Sequence, residues 1–185
     1  MNPNGAFMFL FTTIFDIYMS IVLARFILQL VKADFYNPVS QFIVKATSPV
    51  LNPLRRTIPG VGGMDLASIV LLVALAMLKL ALVLYVFNGF PFHPIQFFLI
   101  TLQSLANTII NFFLFVIFIS AIFSWIMVAG GGYNPFADIL RQMAEPVLAP
   151  ARRLIPPIGG LDISPMIVMM ILLFVKQLFG LSGMI

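Results

Sequence analysis

Four apolar stretches, each about as long as a bilayer is thick, decide the solvent in which this chain folds. Crossing about 30 Å of hydrocarbon as a helix takes about 20 apolar residues. The stretches run over about 7–31, 66–87, 104–128 and 163–180. The third sits inside a longer apolar run, 94–128, whose beginning, 95–103, is expected at the membrane interface. Only 9% of the 185 residues are charged, against roughly 25% in a soluble domain. So little charge cannot clothe a water-facing surface, and the class expected is an all-α integral membrane protein. The first stretch has no basic flank and no A-x-A site, so it reads as a retained helix rather than a signal peptide.

The same scarcity excludes much chemistry. There is no Cys and a single His, which removes disulfides, thiolate nucleophiles and cysteine or multi-histidine metal sites. His93, between Phe92 and Pro94, reads as a loop residue. No nucleophile–base pair, carboxylate dyad or metal cluster stands at a usable spacing, so neither an enzyme nor a cofactor is expected. The net charge is +4. With so few basic residues lying between apolar runs, that excess speaks for topology and anionic lipid heads rather than direct nucleic-acid binding.

Loop charge sets the orientation. The first long loop carries Lys32, Lys45, Arg55 and Arg56, and the third carries Arg141, Arg152 and Arg153. The loop between them, 88–93, has no Lys or Arg. The positive-inside rule places both long loops in the cytoplasm and both termini in the periplasm.

The two basic loops are copies of one another. Residues 36–65 read YNPVSQFIVKATSPVLNPLRRTIPGVGGMD and residues 133–162 read YNPFADILRQMAEPVLAPARRLIPPIGGLD, offset by 97 residues without a gap. Lys79 recurs as Lys176 in the span that follows. The chain therefore divides into a first repeat, 1–93, and a second, 94–185. Each is a span, a cytoplasmic segment (36–63 or 133–160) and a second span. Two spans per repeat give both repeats one orientation, with a pseudo-twofold axis along the membrane normal.

Within each segment Asn37 or Asn134 precedes a proline, the pattern of a helix N-cap with Pro at the first helical position. Val39, Phe42, Ile43 and Ala46, and in the second copy Phe136, Ile139, Leu140 and Met143, then fall on one helix face. The expectation is a short amphipathic helix at the interface, ended or kinked by Pro49 or Pro146. A second short turn, 51–56 or 148–153, should stop at Pro59 or Pro156, before the Gly62–Gly63 and Gly159–Gly160 pairs. Asp65 and Asp162 are placed to cap the next span. Gly130, Gly131 and Gly132 read as flexible chain, and Trp125 as an interfacial anchor.

The doubled YNP…P…P-x-RR-x-IP…GG-x-D pattern resembles the YggT family of small bacterial membrane proteins, which has relatives in plastids, and the likeness covers nearly the whole chain. The resemblance implies a multi-pass protein of the bacterial inner membrane carrying two copies of the family domain. It also implies a link to hyperosmotic shock tolerance and potassium handling. Some family members are encoded beside cell-division genes, and plastid relatives are linked to haem attachment on cytochrome b6 and to nucleoid organisation. The resemblance carries no catalytic residues onto this sequence.

Charges inside the spans need partners, because an ion in hydrocarbon costs at least about 2.5–3.5 kcal/mol. Asp16 and Arg25 lie in the first span, Lys79 in the second and Lys176 in the fourth. Counted from the cytoplasmic ends, Asp16 and Lys79 stand roughly 22 Å and roughly 20 Å up their helices, so an ion pair is expected. The second repeat has Phe113 where Asp16 would recur. Gln103, Asn107 and Asn111 form a polar stripe there instead, offering Lys176 a hydrogen bond from Asn111 or Asn107. Such groups serve equally as glue between helices, as a snorkelling lysine or as an ion path.

Two functions compete on these grounds. One is a non-enzymatic scaffold or assembly factor, whose Arg55, Arg56, Arg152 and Arg153 dock anionic lipid headgroups or another inner-membrane protein. The other is a small potassium or proton channel or transporter working as a homo-oligomer through the buried charges.

Overall fold

The computed structural model describes residues 3–60, 62–87, 93–155 and 162–181. Among the described residues the chain is helical, without strands. Its helices are α1 (Pro3–Leu30), α2 (Pro38–Thr57), α3 (Leu66–Ala81), α4 (Pro94–Val128), α5 (Pro135–Leu154) and α6 (Ser164–Leu178), with a π-helical stretch Leu82–Phe87 continuing α3. Three helical segments, Gly5–Leu30, Leu66–Tyr85 and Pro94–Val128, are long and apolar enough to cross a membrane. The fourth apolar helix, α6, has 15 residues, about 22 Å of rise.

Helix α4 runs unbroken for 35 residues, about 52 Å. Residues 95–103, expected at the membrane interface, continue into the rest of α4 as one helix. Pro94 sits at its first position, where a missing N–H is harmless, and no Pro or Gly follows inside it. Its other end is a built stop rather than loose chain: Gly130 takes φ +97° and the Gly131 N–H reaches back to the Ile126 carbonyl at 2.9 Å. That bond pattern closes a helix on a left-handed residue, which glycine accepts without strain.

The amphipathic segments differ from expectation in two ways. First, α2 passes through Pro49 and Pro53, and α5 through Pro146 and Pro150, each as one 20-residue helix. All four prolines lie on the exposed edge. Each pair is spaced by four, so the carbonyls left without donors lie along one edge within reach of water, and the ladder on the packed side continues. Second, the buried stripe of α2 is Ser40, Ile43, Thr47 and Leu51, while Phe42 stays 63% exposed. Pro59 lies just past α2; Pro156, Gly159 and Gly160 lie outside the described residues. Gly62 and Gly63 both take positive φ, as the reversal into α3 requires.

Small side chains set the packing distance, as they do where helices associate without a hydrophobic drive. Ala67, Ser68 and Ala76 of α3, Ala24 of α1 and Ala144 of α5 are buried among Met19, Val22, Ile117, Ile139 and Leu148. Helix α1 packs on α2, α3, α4 and α5, and α3 packs on α4. Helix α6 touches only α4 and α5 among the described residues. A twofold axis would equate the α3–α4 contact with one between α6 and α1. That second contact is missing, so the two halves meet one-sidedly rather than about the expected pseudo-twofold.

Candidate functional site

Two sets of polar groups stand out, one where α2 and α5 meet the ends of the long helices and one midway along those helices.

At the first, Asn37 and Asn134 cap α2 and α5 by accepting the Val39 and Phe136 N–H groups, each at 2.9 Å. Asn37 does more: its Nδ2 donates to the Pro135 carbonyl at 2.8 Å, tying the start of one helix to the start of the other. The Asp34 N–H, donating to Gln142 Oε1 at 3.3 Å, adds a second tie. Helices α2 and α5 are thus joined near their starts.

The arginine pairs divide their labour. Arg55 donates to the Asp65 carboxylate through Nε at 3.3 Å and through a very short Nη2 contact, and to Gln29 Oε1 at 3.2 Å. Ser68 Oγ donates to the same carboxylate at 2.6 Å. The expected side-chain cap of α3 by Asp65 is therefore absent; the first turn is met by its backbone carbonyl, which accepts from Ser68 N and Ile69 N. The guanidinium beside it, a stronger donor, has taken the carboxylate. Burial pushes the Asp65 carboxyl up, but the bonds from Arg55 and Ser68 outweigh that and hold it below its ordinary value of 3.8.

In the second half, Arg152 Nε donates to Asp162 at 2.7 Å, and the same guanidinium pairs with Glu145. Asp162 also accepts the Ser164 N–H at 2.9 Å, the capping bond Asp65 lacks. Burial lowers the Arg152 pKa, but these two carboxylates reverse the effect and raise it. Asp162 is likewise held low: burial raises it, and Arg152 and Ser164 more than compensate. Arg56 and Arg153, by contrast, are exposed at the ends of α2 and α5, with no ion pair among the described residues.

Arg25, expected among the intramembrane polar residues, finds its partners on α2. Its Nη1 donates to the Val44 carbonyl at 2.9 Å and to Thr47 Oγ1 at 3.1 Å, with a longer contact to Ser48. It clips the last turns of α1 to the middle of α2. At the offset of 97, Arg25 and Gln29 become Ile122 and Ile126, so α4 has no such clip on α5. A cavity of about 500 Å³ opens there instead, walled by Trp125, Met127, Tyr133, Arg141, Arg152 and Asp162.

Midway along the long helices, Lys79 Nζ donates to both Asp16 oxygens, at 2.7 and 2.9 Å. The lysine is enclosed, at 7% side-chain exposure, while Asp16 is 45% exposed. Lys176 Nζ donates to Asn111 Oδ1 at 2.7 Å, and Asn111 Nδ2 to Asn107 Oδ1 at 3.3 Å. Asn111 is exposed, and no carboxylate faces Lys176 among the described residues.

Comparison with known proteins yields consistent relatives. A family model described as CCB3/YggT matches twice, over residues 4–86 and 99–182. An uncharacterized protein of Pseudomonas aeruginosa is 45% identical over 190 residues, covering 98% of this chain and 94% of the relative. An uncharacterized protein from the proC 3′ region of Vibrio alginolyticus is 43% identical, covering 93% and 92%. The uncharacterized protein YggT of Escherichia coli is 38% identical, covering 91% and 86%. No solved structure matches.

Proposed function

This chain belongs to the CCB3/YggT family, and on that premise we propose a non-enzymatic, four-span protein of the bacterial inner membrane that docks anionic lipid headgroups at its cytoplasmic face. Helix α6 is the fourth span, shorter than the others and accommodated by local thinning or by the residues beyond it. Both termini are periplasmic. The role this serves is scaffolding or assembly of other inner-membrane proteins in support of hyperosmotic tolerance.

The observation that carries the reading is the joined α2–α5 platform, which holds Arg56 and Arg153 exposed while Arg55 and Arg152 are spent on Asp65 and Asp162. Docking therefore rests on the outer arginine of each pair. The cavity lined by Trp125 and Tyr133 gives a lipid's acyl chain apolar walls.

An arginine near an anionic surface contributes about 1 kcal/mol. Arg56→Gln with Arg153→Gln should weaken phosphatidylglycerol retention by about 30-fold. Native mass spectrometry of protein released from mixed-lipid nanodiscs reads this, and unchanged retention in folded protein would overturn the proposal. A second reading, a potassium or proton path through an oligomer, draws on the Asp16–Lys79 and Asn111–Lys176 contacts. Proteoliposome flux that Lys79→Met alters would favour it over docking.

A further inference from the structure

The one-sided contact between the halves leaves an open edge on each side of the molecule. Within the chain, the second apolar helix of the first half, α3, packs on the first apolar helix of the second half, α4. The corresponding surfaces at the two ends of the series, α6 and α1, do not meet. An interface that joins one unit to the next without closing on itself is heterologous, and it is satisfied only by another unit.

The charges on the two open edges are complementary. Helix α6 offers Lys176, whose ammonium has only the Asn111 side-chain oxygen as acceptor among the described residues. Helix α1 offers Asp16, whose two oxygens accept from Lys79 and whose side chain is still 45% exposed. Depths agree as well. Lys176 lies 12 residues from the start of α6 and Asp16 lies 14 from the end of α1, roughly 18 Å and roughly 21 Å along antiparallel helices. Lipid tails offer no acceptor for the remaining Lys176 protons at that depth, whereas the half-exposed Asp16 carboxylate of a neighbouring copy supplies one.

We propose that α6 of one copy packs on α1 of the next, as α3 packs on α4 within the chain, with Lys176 of the first copy donating to Asp16 of the second. The assembly is head-to-tail. This inference rests on the proposed placement of α6 in the membrane, but not on lipid docking.

The chain has no Cys, which makes a clean test available. Ile17 and Leu173 are 57% and 53% exposed, next to Asp16 and one turn from Lys176. Two differently tagged chains, Ile17→Cys and Leu173→Cys, are co-expressed and treated with a short membrane-permeant bifunctional thiol cross-linker. Mixed dimers should form between the two tags, and neither variant alone should cross-link. A chain carrying both cysteines should give a ladder. Adding Lys176→Met should cut the mixed product at least tenfold, and Lys176→Arg should retain it. Cross-links within one variant alone would overturn the proposal, since they mark a twofold interface. So would absence of mixed dimers, or mixed dimers indifferent to Lys176→Met. Labelling of Leu173→Cys by a membrane-impermeant maleimide reports separately whether the placement of α6 has failed.

Discussion

Asp16→Leu is expected to destabilise the protein by about 3–5 kcal/mol, because it leaves the enclosed Lys79 ammonium without its carboxylate. The cost lies in the uncompensated charge, not in the lost contact. Replacing both partners with apolar groups of similar size removes that charge, and such exchanges are often neutral. Asp16→Leu with Lys79→Met should therefore recover stability to within about 1 kcal/mol of wild type. Reversible unfolding in detergent micelles or bicelles, arranged as a double-mutant cycle, measures this. A double variant whose loss equals the sum of the two single losses would mean that the two residues act independently.

The second large effect separates two sites that look identical in sequence. Asp65→Ala should cost about 2–3 kcal/mol, and Asp162→Ala about 1 kcal/mol. Arg55 has one carboxylate, Asp65, and loses with it the anchor that also holds Ser68. Arg152 keeps Glu145 when Asp162 is removed. The same asymmetry has a pH signature. Both carboxyls are held below their ordinary value in the folded protein, so the stabilisation they give is complete above about pH 4 and is lost as pH falls through the folded value. Thermal unfolding followed between pH 7 and pH 3 should flatten in Asp65→Asn. Equal losses for Asp65→Ala and Asp162→Ala would contradict this division of roles.

Several features were legible in the sequence because their determinants are local or additive. An Asn before a Pro at a helix start needs only its own backbone, so both caps could be read from residues 37 and 134. The Asp16–Lys79 contact followed from helix rise alone, and the approach of Asn111 to Lys176 from a stripe of period four. The partners of Arg25 were not legible because they arise only when α2 folds back along α1, an event without a periodic signature. One signal was present: Arg25 lies near the end of its span, and Thr47 and Ser48 supply oxygens in α2. The buried face of α2 was read one position off because hydropathy favours Phe42. The packed interior took the small Ser40 and Thr47, which allow close approach. Prolines read as breaks because their spacing of four along one exposed edge was not weighed. The unclosed contact between the halves has no counterpart in the ungapped repeat of the sequence.

The account turns on both amphipathic helices lying on the cytoplasmic side of a four-span chain. Single cysteines in the Cys-free background test it directly, by impermeant-maleimide labelling of spheroplasts. Thr57→Cys and Leu154→Cys, at equivalent ends of α2 and α5, should stay unlabelled until the membrane is opened. Ser182→Cys, beyond α6, should label at once. Labelling of either platform position in intact spheroplasts, or protection of position 182 as in a three-span chain, would contradict the account.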